Sequence, residues 1–194
     1  VCKAQDLRLN RLVAIKYLAP EILSDPTSKQ RLLQEARAAS QLDHPNVCRI
    51  HQIEELEDGQ VILILSYYEG ETLSARIARG PLDLGTAIHL ASQLLCGLEH
   101  AHSNGVIHRD IKPSNMIVLG NGDLKIIDFG LAKGGNAGPQ LTETGAFLGT
   151  ISYMSPEQIL CKDIDHRCDV WASGVVLYEM VTGHLPFSGE SPYA

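Results

Sequence analysis

Two ionisable residues stand where apolar side chains would be expected. Lys16 ends the run Val13-Ala14-Ile15-Lys16, inside a β-branched and apolar stretch that reads as a strand. Glu35 follows Leu32 by three residues and precedes Ala39 by four, so on a helix it shares their inward face. An unpaired buried charge is costly, so each needs a partner. Either the two answer each other, or both amphipathic side chains reach separately for solvent. A second pair is suggested by a hairpin. If Asn121-Gly122 is a two-residue turn, residues whose numbers sum to 243 face each other, and Asn115 and Asp128 do so at the open end. Directly opposed Cβ atoms lie about 5 Å apart. An amide oxygen and a carboxylate that close would suit Mg²⁺ with phosphate; the plainer alternative is a turn-capping Asn and a solvated Asp.

The elements that must position these residues follow from periodicity. Residues 12–17 read as a strand, and 28–42 as a helix with Leu32, Ala36, Ala39 and Leu42 on one face. Strands at 47–53 and 61–65 flank the turn residues Asp58-Gly59. The pattern changes at 66–70 and becomes mostly helical. Residues 84–102 place Leu84, Ile88, Ala91, Leu94, Leu95, Leu98 and Ala101 at helical spacing, and Asn104-Gly105 ends the helix. The hairpin 116–119/124–127 follows. A long loop rich in Gly and Thr is expected over 131–152. Residues 170–181 are apolar nearly all round and read as a buried helix stopped by Gly183.

The neighbours of these residues carry a resemblance. His108-Arg109-Asp110-Ile111-Lys112-Pro113-Ser114-Asn115 follows the apolar pair Val106-Ile107, and Asp128-Phe129-Gly130 follows Ile127. With the Val-Ala-Ile-Lys strand they resemble, in order, the motifs of the protein kinase family. Gly149-Thr150, Tyr153-Met154-Ser155-Pro156-Glu157 and Asp169-Val170-Trp171-Ala172-Ser173-Gly174 extend the resemblance over essentially the whole chain. It implies an α+β, bilobal fold, with 1–66 in a small β-rich N-lobe and 67–194 in a larger, mainly helical C-lobe. It also implies the cofactors ATP and Mg²⁺ and phosphoryl transfer to Ser/Thr hydroxyls of protein substrates.

The roles implied by the resemblance fall on matching positions. Lys16 holds the α- and β-phosphates and is itself fixed by Glu35. Asp110 accepts or orients the substrate hydroxyl proton, and Lys112 neutralises the transferring phosphoryl group. Asn115 and Asp128 bind Mg²⁺. The adenine lies between Val1, Ala14 and Ile117, with backbone bonds to the 66–68 hinge (Ser66, Tyr68) behind Leu65. Arg109 is implied to belong to a basic pocket beside the base, with an unpaired guanidinium. Lys133 and Arg31 are expected to complete it, and phosphate on Thr142 or Thr144 to fill it. Thr150 is implied to contact the catalytic loop and substrate. Lys112, two residues after Asp110, together with Thr150, is similar to serine/threonine rather than tyrosine kinases. Ser155-Pro156-Glu157-Gln158 with Lys-Pro-Ser-Asn resembles the eukaryotic-like kinases of bacteria. A pseudokinase acting as nucleotide-binding scaffold is the alternative, set against the presence of Lys16, Asp110 and Asp128. A small-molecule kinase is set against Lys112 and the GT…SPE segment.

Composition bounds the rest. In 194 residues, 44% hydrophobic and 20% charged, there is enough apolar material for a core, which excludes a disordered tail or coiled-coil rod. A net charge of −7 argues against nucleic acid as main partner. The longest apolar run, 61–65, is far too short to span a membrane. Five cysteines without a Cys-x-x-Cys pair fit a reducing compartment, and Cys161, His166 and Cys168 lack the ligand count of structural zinc. The expected location is cytoplasmic, or the cytoplasmic face of a membrane if the full-length protein carries an anchor. The family's glycine-rich loop is expected before Val1 and its last helices after Ala194. The chain therefore reads as a fragment at both ends, with an apolar face on helix 170–181 and a capacity for self-association.

Overall fold

The computed structural model describes residues 1–18, 25–129 and 151–187. Strand β1 (Cys2–Asp6) turns back into β2 (Arg11–Tyr17), with Asp6 Oδ1 accepting from the backbone N–H groups of Arg8 and Leu9. After helix α1 (Pro26–Ser40) come β3 (Ile50–Glu55) and β4 (Val61–Ser66). The four strands form one antiparallel sheet in the order β1-β2-β4-β3. In it Lys16 pairs with Leu63 and Ala14 with Leu65. Helix α1 begins two residues before the expected 28–42, because Asp25 accepts from Ser28 N as N-cap and Pro26 opens the first turn. Its buried stripe of Leu32, Ala36 and Ala39 is the one the spacing predicts, with Leu42 buried just beyond.

Strand β5 (Gly70–Thr72) starts a second antiparallel sheet, ordered β5-β6-β7, with β6 at Met116–Leu119 and β7 at Leu124–Ile126. Between them lie the short helix α2 (Leu73–Ile77) and the long helix α3 (Leu84–Ser103). Asp83 caps α3 by accepting from Thr86 N. The buried face of α3 runs through Ala87, Leu90, Leu94, Gly97, Leu98 and Ala101. Leu84, Ile88 and Leu95, expected on that face, are exposed, because the apolar pattern is wider than the stripe that packing covers. Helices α4 (Pro156–Ile159) and α5 (Arg167–Thr182) complete the described chain, and Gly183 ends α5 in the left-handed conformation at φ 74°. Helix α5 is buried on one face only, through Cys168, Ala172, Val175, Val176 and Met180, while Val170, Trp171 and Tyr178 are exposed.

Two expectations on strand pairing are corrected. Val47 is not in β3; it forms a parallel bridge to Ile126, and the bonds Cys48 N to Ile126 O and Ile126 N to Asn46 O tie the segment before β3 to the second sheet. The β6–β7 turn has three residues, not two. Leu119 N donates to Asp123 O, Gly122 N to Leu119 O, and Gly122 takes φ 88°. Met116 therefore faces Ile126, and Asn115 O accepts from Ile127 N, so Asp128 lies one residue beyond the position opposite Asn115.

Candidate active site

Lys16 reaches out of the first sheet and its Nζ lies 2.8 Å from Asp128 Oδ1, just after the second sheet ends. Asp128 has a left-handed backbone, φ 63°, which turns the carboxylate out of the line of β7. For a residue with a Cβ such a conformation costs on the order of 1–3 kcal/mol and persists only where the surroundings impose it. The same conformation recurs at Arg109, φ 64°, immediately before Asp110. Here the cause is visible. Asp169, buried in the first turn of α5, accepts Arg109 N at 2.8 Å on Oδ1 and His108 N at 2.8 Å on Oδ2. Burial pushes the Asp169 pKa up, but the hydrogen bond from His102, the neighbouring His108 ring and the two backbone donors together hold it below the usual range.

His108 is fully buried, stacked at a tilt on Phe129 with ring centroids 4.7 Å apart. Its Nε2 lies 2.9 Å from Ile127 O and its Nδ1 accepts from Asp110 N, which together fit one neutral tautomer. Burial holds its pKa below 6.5. The 3₁₀ turn Pro113–Asn115 then brings Asn115 back: its Nδ2 donates to Asp110 O at 2.8 Å and Asp110 Oδ2 at 3.0 Å. Lys112 Nζ lies 2.9 Å from Asp110 Oδ2. The 108–115 segment thus gathers a carboxylate, an ammonium and an amide around one point. The second sheet delivers Asp128, and the first delivers Lys16.

The expected Lys16–Glu35 pair is not formed. Glu35 Oε1 lies 3.1 Å from Arg109 Nη1, so Lys16 pairs with Asp128 and the guanidinium expected to be unpaired has a partner. Among the described residues Glu35 Oε2 and Arg109 Nε are buried without a hydrogen bond, beside a cavity of about 90 Å³ that Ala39, Val106 and Phe129 also line. Burial raises the Glu35 pKa, opposed by Arg109 and more weakly by Arg31. A larger cavity, about 630 Å³, opens around Glu157 and Arg167 and contains none of the convergent side chains.

Of the expected adenine-site residues, Ala14 and Leu65 are paired across β2 and β4, Ser66 ends β4 beside them, and Tyr68 lies under Lys125 Nζ. Val1 is exposed at the end of β1, and Ile117 belongs to the second sheet. Lys133, Thr142, Thr144 and Thr150 lie outside the described residues. Three contributors went unassigned from sequence. Asp169 carried a signal, a carboxylate inside an apolar helix, the same reasoning applied to Glu35. Gln158, whose Nε2 donates to Arg109 O at 2.9 Å, figured only within the Ser155-Pro156-Glu157-Gln158 segment; its Ser-x-x-Gln spacing from Ser155 is a capping-box pattern. His102, which bonds Asp169 Oδ2 at 2.8 Å, is one of two histidines in the last turn of α3 and had none.

The family model described as Protein kinase domain matches residues 1–193. The chain belongs to the protein kinase family. Its α+β fold, a strand-rich first part and a mainly helical second part, is the bilobal fold of that family. This kinase-family chain is 40% identical to serine/threonine-protein kinase pkn3 of Myxococcus xanthus, over 98% of its length and 36% of that protein. It is 40% identical to serine/threonine-protein kinase PrkC of Bacillus subtilis, over 97% and 29%, and 38% identical to serine/threonine-protein kinase PknB of Mycobacterium tuberculosis, over 97% and 31%. The chain spans about a third of the length of these curated relatives.

The donor set fits a magnesium ion. Asn115 spends its Nδ2 on Asp110, which leaves the amide oxygen as its acceptor, and Asp128 already holds a cation, the Lys16 ammonium. Among the described residues no helix is long and apolar enough to cross a membrane. All five cysteines are free thiols, and burial pushes Cys48 and Cys168 up to about 12, which makes both poor nucleophiles.

Proposed function

We propose that the chain is the catalytic domain of an ATP- and Mg²⁺-dependent protein serine/threonine kinase, of the type its bacterial relatives are named for. The observation that carries this is the convergence of Lys16 and Asp128 at 2.8 Å across two sheets, beside the Asp110, Lys112 and Asn115 cluster. Phosphoryl transfer asks the protein for positioning and charge neutralisation, and these residue types supply both. Lys16 holds phosphate oxygens of the nucleotide. Asp128 and the Asn115 oxygen would hold Mg²⁺, which would supply neutralisation of the phosphate charge when bound. Asp110 orients the substrate hydroxyl and takes its proton, and Lys112 faces charge on the phosphoryl group as it moves. Ala14, Leu65, Ser66, Tyr68, Val1 and Ile117 are assigned to the adenine side, and Glu35 to support of Lys16 once it leaves Arg109. The substrates are protein Ser/Thr hydroxyls. Phosphorylation at Thr142 or Thr144 in trans, through transient self-association, is the proposed route of activation. The location is the cytoplasm or the cytoplasmic face of a membrane.

The test is transfer of labelled phosphate from ATP to a generic basic protein by the full-length protein. Lys16→Met and Asp128→Asn are each expected to lower it at least about 100-fold, with circular dichroism unchanged. Retained turnover in either variant overturns the assignment of that residue. Nucleotide binding without transfer in the unmodified protein supports the scaffold reading instead.

A further inference from the structure

The peptide between Arg109 and Asp110 is held at both of its polar atoms. Its N–H, belonging to Asp110, donates to His108 Nδ1 at 3.2 Å. Its carbonyl oxygen, belonging to Arg109, accepts from Gln158 Nε2 at 2.9 Å. Gln158 is oriented at its other end too, because its Oε1 accepts from Ser155 N at 3.0 Å. The two contacts fix which amide atom is which, since a carbonyl can be met only by the NH₂ and a backbone N–H only by the oxygen. Arg109 itself is left-handed at φ 64°, a conformation that a non-glycine residue keeps only under constraint. Rotation of this peptide plane would swing the bond from which the Asp110 side chain departs.

We infer that Gln158 is a positioning residue for phosphoryl transfer: it locks the plane of the Arg109–Asp110 peptide from helix α4 and so aims the Asp110 carboxylate. This inference rests on the kinase reading. It links helix α4 to the geometry of the base through one side-chain amide, and gives Gln158 a task that its capping of Ser155 does not require.

The two tasks are separable. Gln158→Glu keeps the oxygen that caps Ser155 N, since Glu serves a capping box as well as Gln. An ionised carboxylate cannot donate to Arg109 O, and it repels that oxygen. Gln158→Ala removes both contacts. In the full-length protein, with a generic basic protein as phosphoryl acceptor, both variants are expected to lose roughly 10- to 100-fold in kcat, with KM for ATP near the unmodified value in both and Tm near it in Gln158→Glu, which keeps the cap. Hydrogen exchange across 107–112 should quicken in both variants. Unchanged kcat and unchanged exchange in Gln158→Glu overturn the inference, as does a kcat loss in that variant matched by a fall in Tm. If the unmodified protein transfers no phosphate, the kinase reading fails, and the exchange measurement alone decides whether Gln158 locks the peptide.

Discussion

Glu35 Oε1 and Arg109 Nη1 stand 3.1 Å apart, so helix α1 is bonded to the residue before Asp110 and not to Lys16. About a third of each side chain is exposed, and solvent there screens the attraction. Burial raises the Glu35 pKa despite the guanidinium, so the pair does not repay the full cost of desolvating the carboxylate. In a double-mutant cycle of Glu35→Gln and Arg109→Gln, followed by urea denaturation, the expected coupling is about 0.5–1 kcal/mol. A coupling above about 3 kcal/mol would require a dry, fully matched pair. A weak pair is one that a stronger partner can displace.

His108 makes stability depend on pH. Its folded pKa lies below 6.5 because its ring is buried with both nitrogens engaged in the neutral form. In the window from the folded value up to 6.5 the unfolded chain binds more protons than the folded one. Stability therefore falls as pH drops through that window and is fully present above 6.5. The slope contributed by one such group is at most about 1.4 kcal/mol per pH unit. Urea midpoints measured from about pH 7.5 to about pH 5 should show the decline, and His108→Gln should flatten it. An equal slope in the variant would assign the acid sensitivity elsewhere.

Gly97 sets how closely α3 approaches the second sheet. A Cβ there would lie 2.7 Å from Ile126 Cδ1 and 3.3 Å from Asn46 Cβ, with Ile126 fully buried. The Ile126 methyl can shift for an alanine, but the added branches of valine have nowhere to go. Gly97→Val is expected to destabilise by about 1–3 kcal/mol through overpacking, and Gly97→Ala by less. Equal stability of Gly97→Val in thermal denaturation would mean that α3 moves outward at no cost.

The longer elements and the set of residues that come together around Asp110 and Asp128 were legible in the sequence, and the pairing of charges was not. The 3.6-residue stripe of Leu32, Ala36 and Ala39 located α1 because packing depends on those side chains alone. Its start was missed by two residues because Asp25 and Pro26 act as cap and first-turn residues, which apolar periodicity does not register. The β6–β7 register slipped by one because Asn121-Gly122 fits a two-residue turn and also the end of a three-residue turn with Gly122 left-handed. Lys16, Glu35, Arg109 and Asp128 were each expected at the site, but which cation meets which carboxylate depends on side-chain reach and on the left-handed backbones of Arg109 and Asp128. No spacing rule encodes those.

Thr142 and Thr144 lie outside the described residues, and the partner proposed for phosphate on them is Arg109. Arg109 is held by one carboxylate oxygen, and its Nε is buried without a hydrogen bond among the described residues. A phosphate carries about −1.5 to −2 charges and three acceptor oxygens, so it offers this guanidinium a bidentate contact that Glu35 does not make. Phosphorylation in the 131–150 segment is therefore expected to take Arg109 from Glu35 and free that carboxylate for Lys16, whose ammonium is now on Asp128. Incubation with Mg-ATP should add phosphate to peptides spanning 131–150 and raise kcat at least about fivefold. The Thr142→Ala/Thr144→Ala double variant should stay at the lower rate and show no gain on preincubation. Full activity in that variant, or phosphate found only outside 131–150, would detach Arg109 from regulation and leave its ion pair with Glu35 a fixed part of the fold.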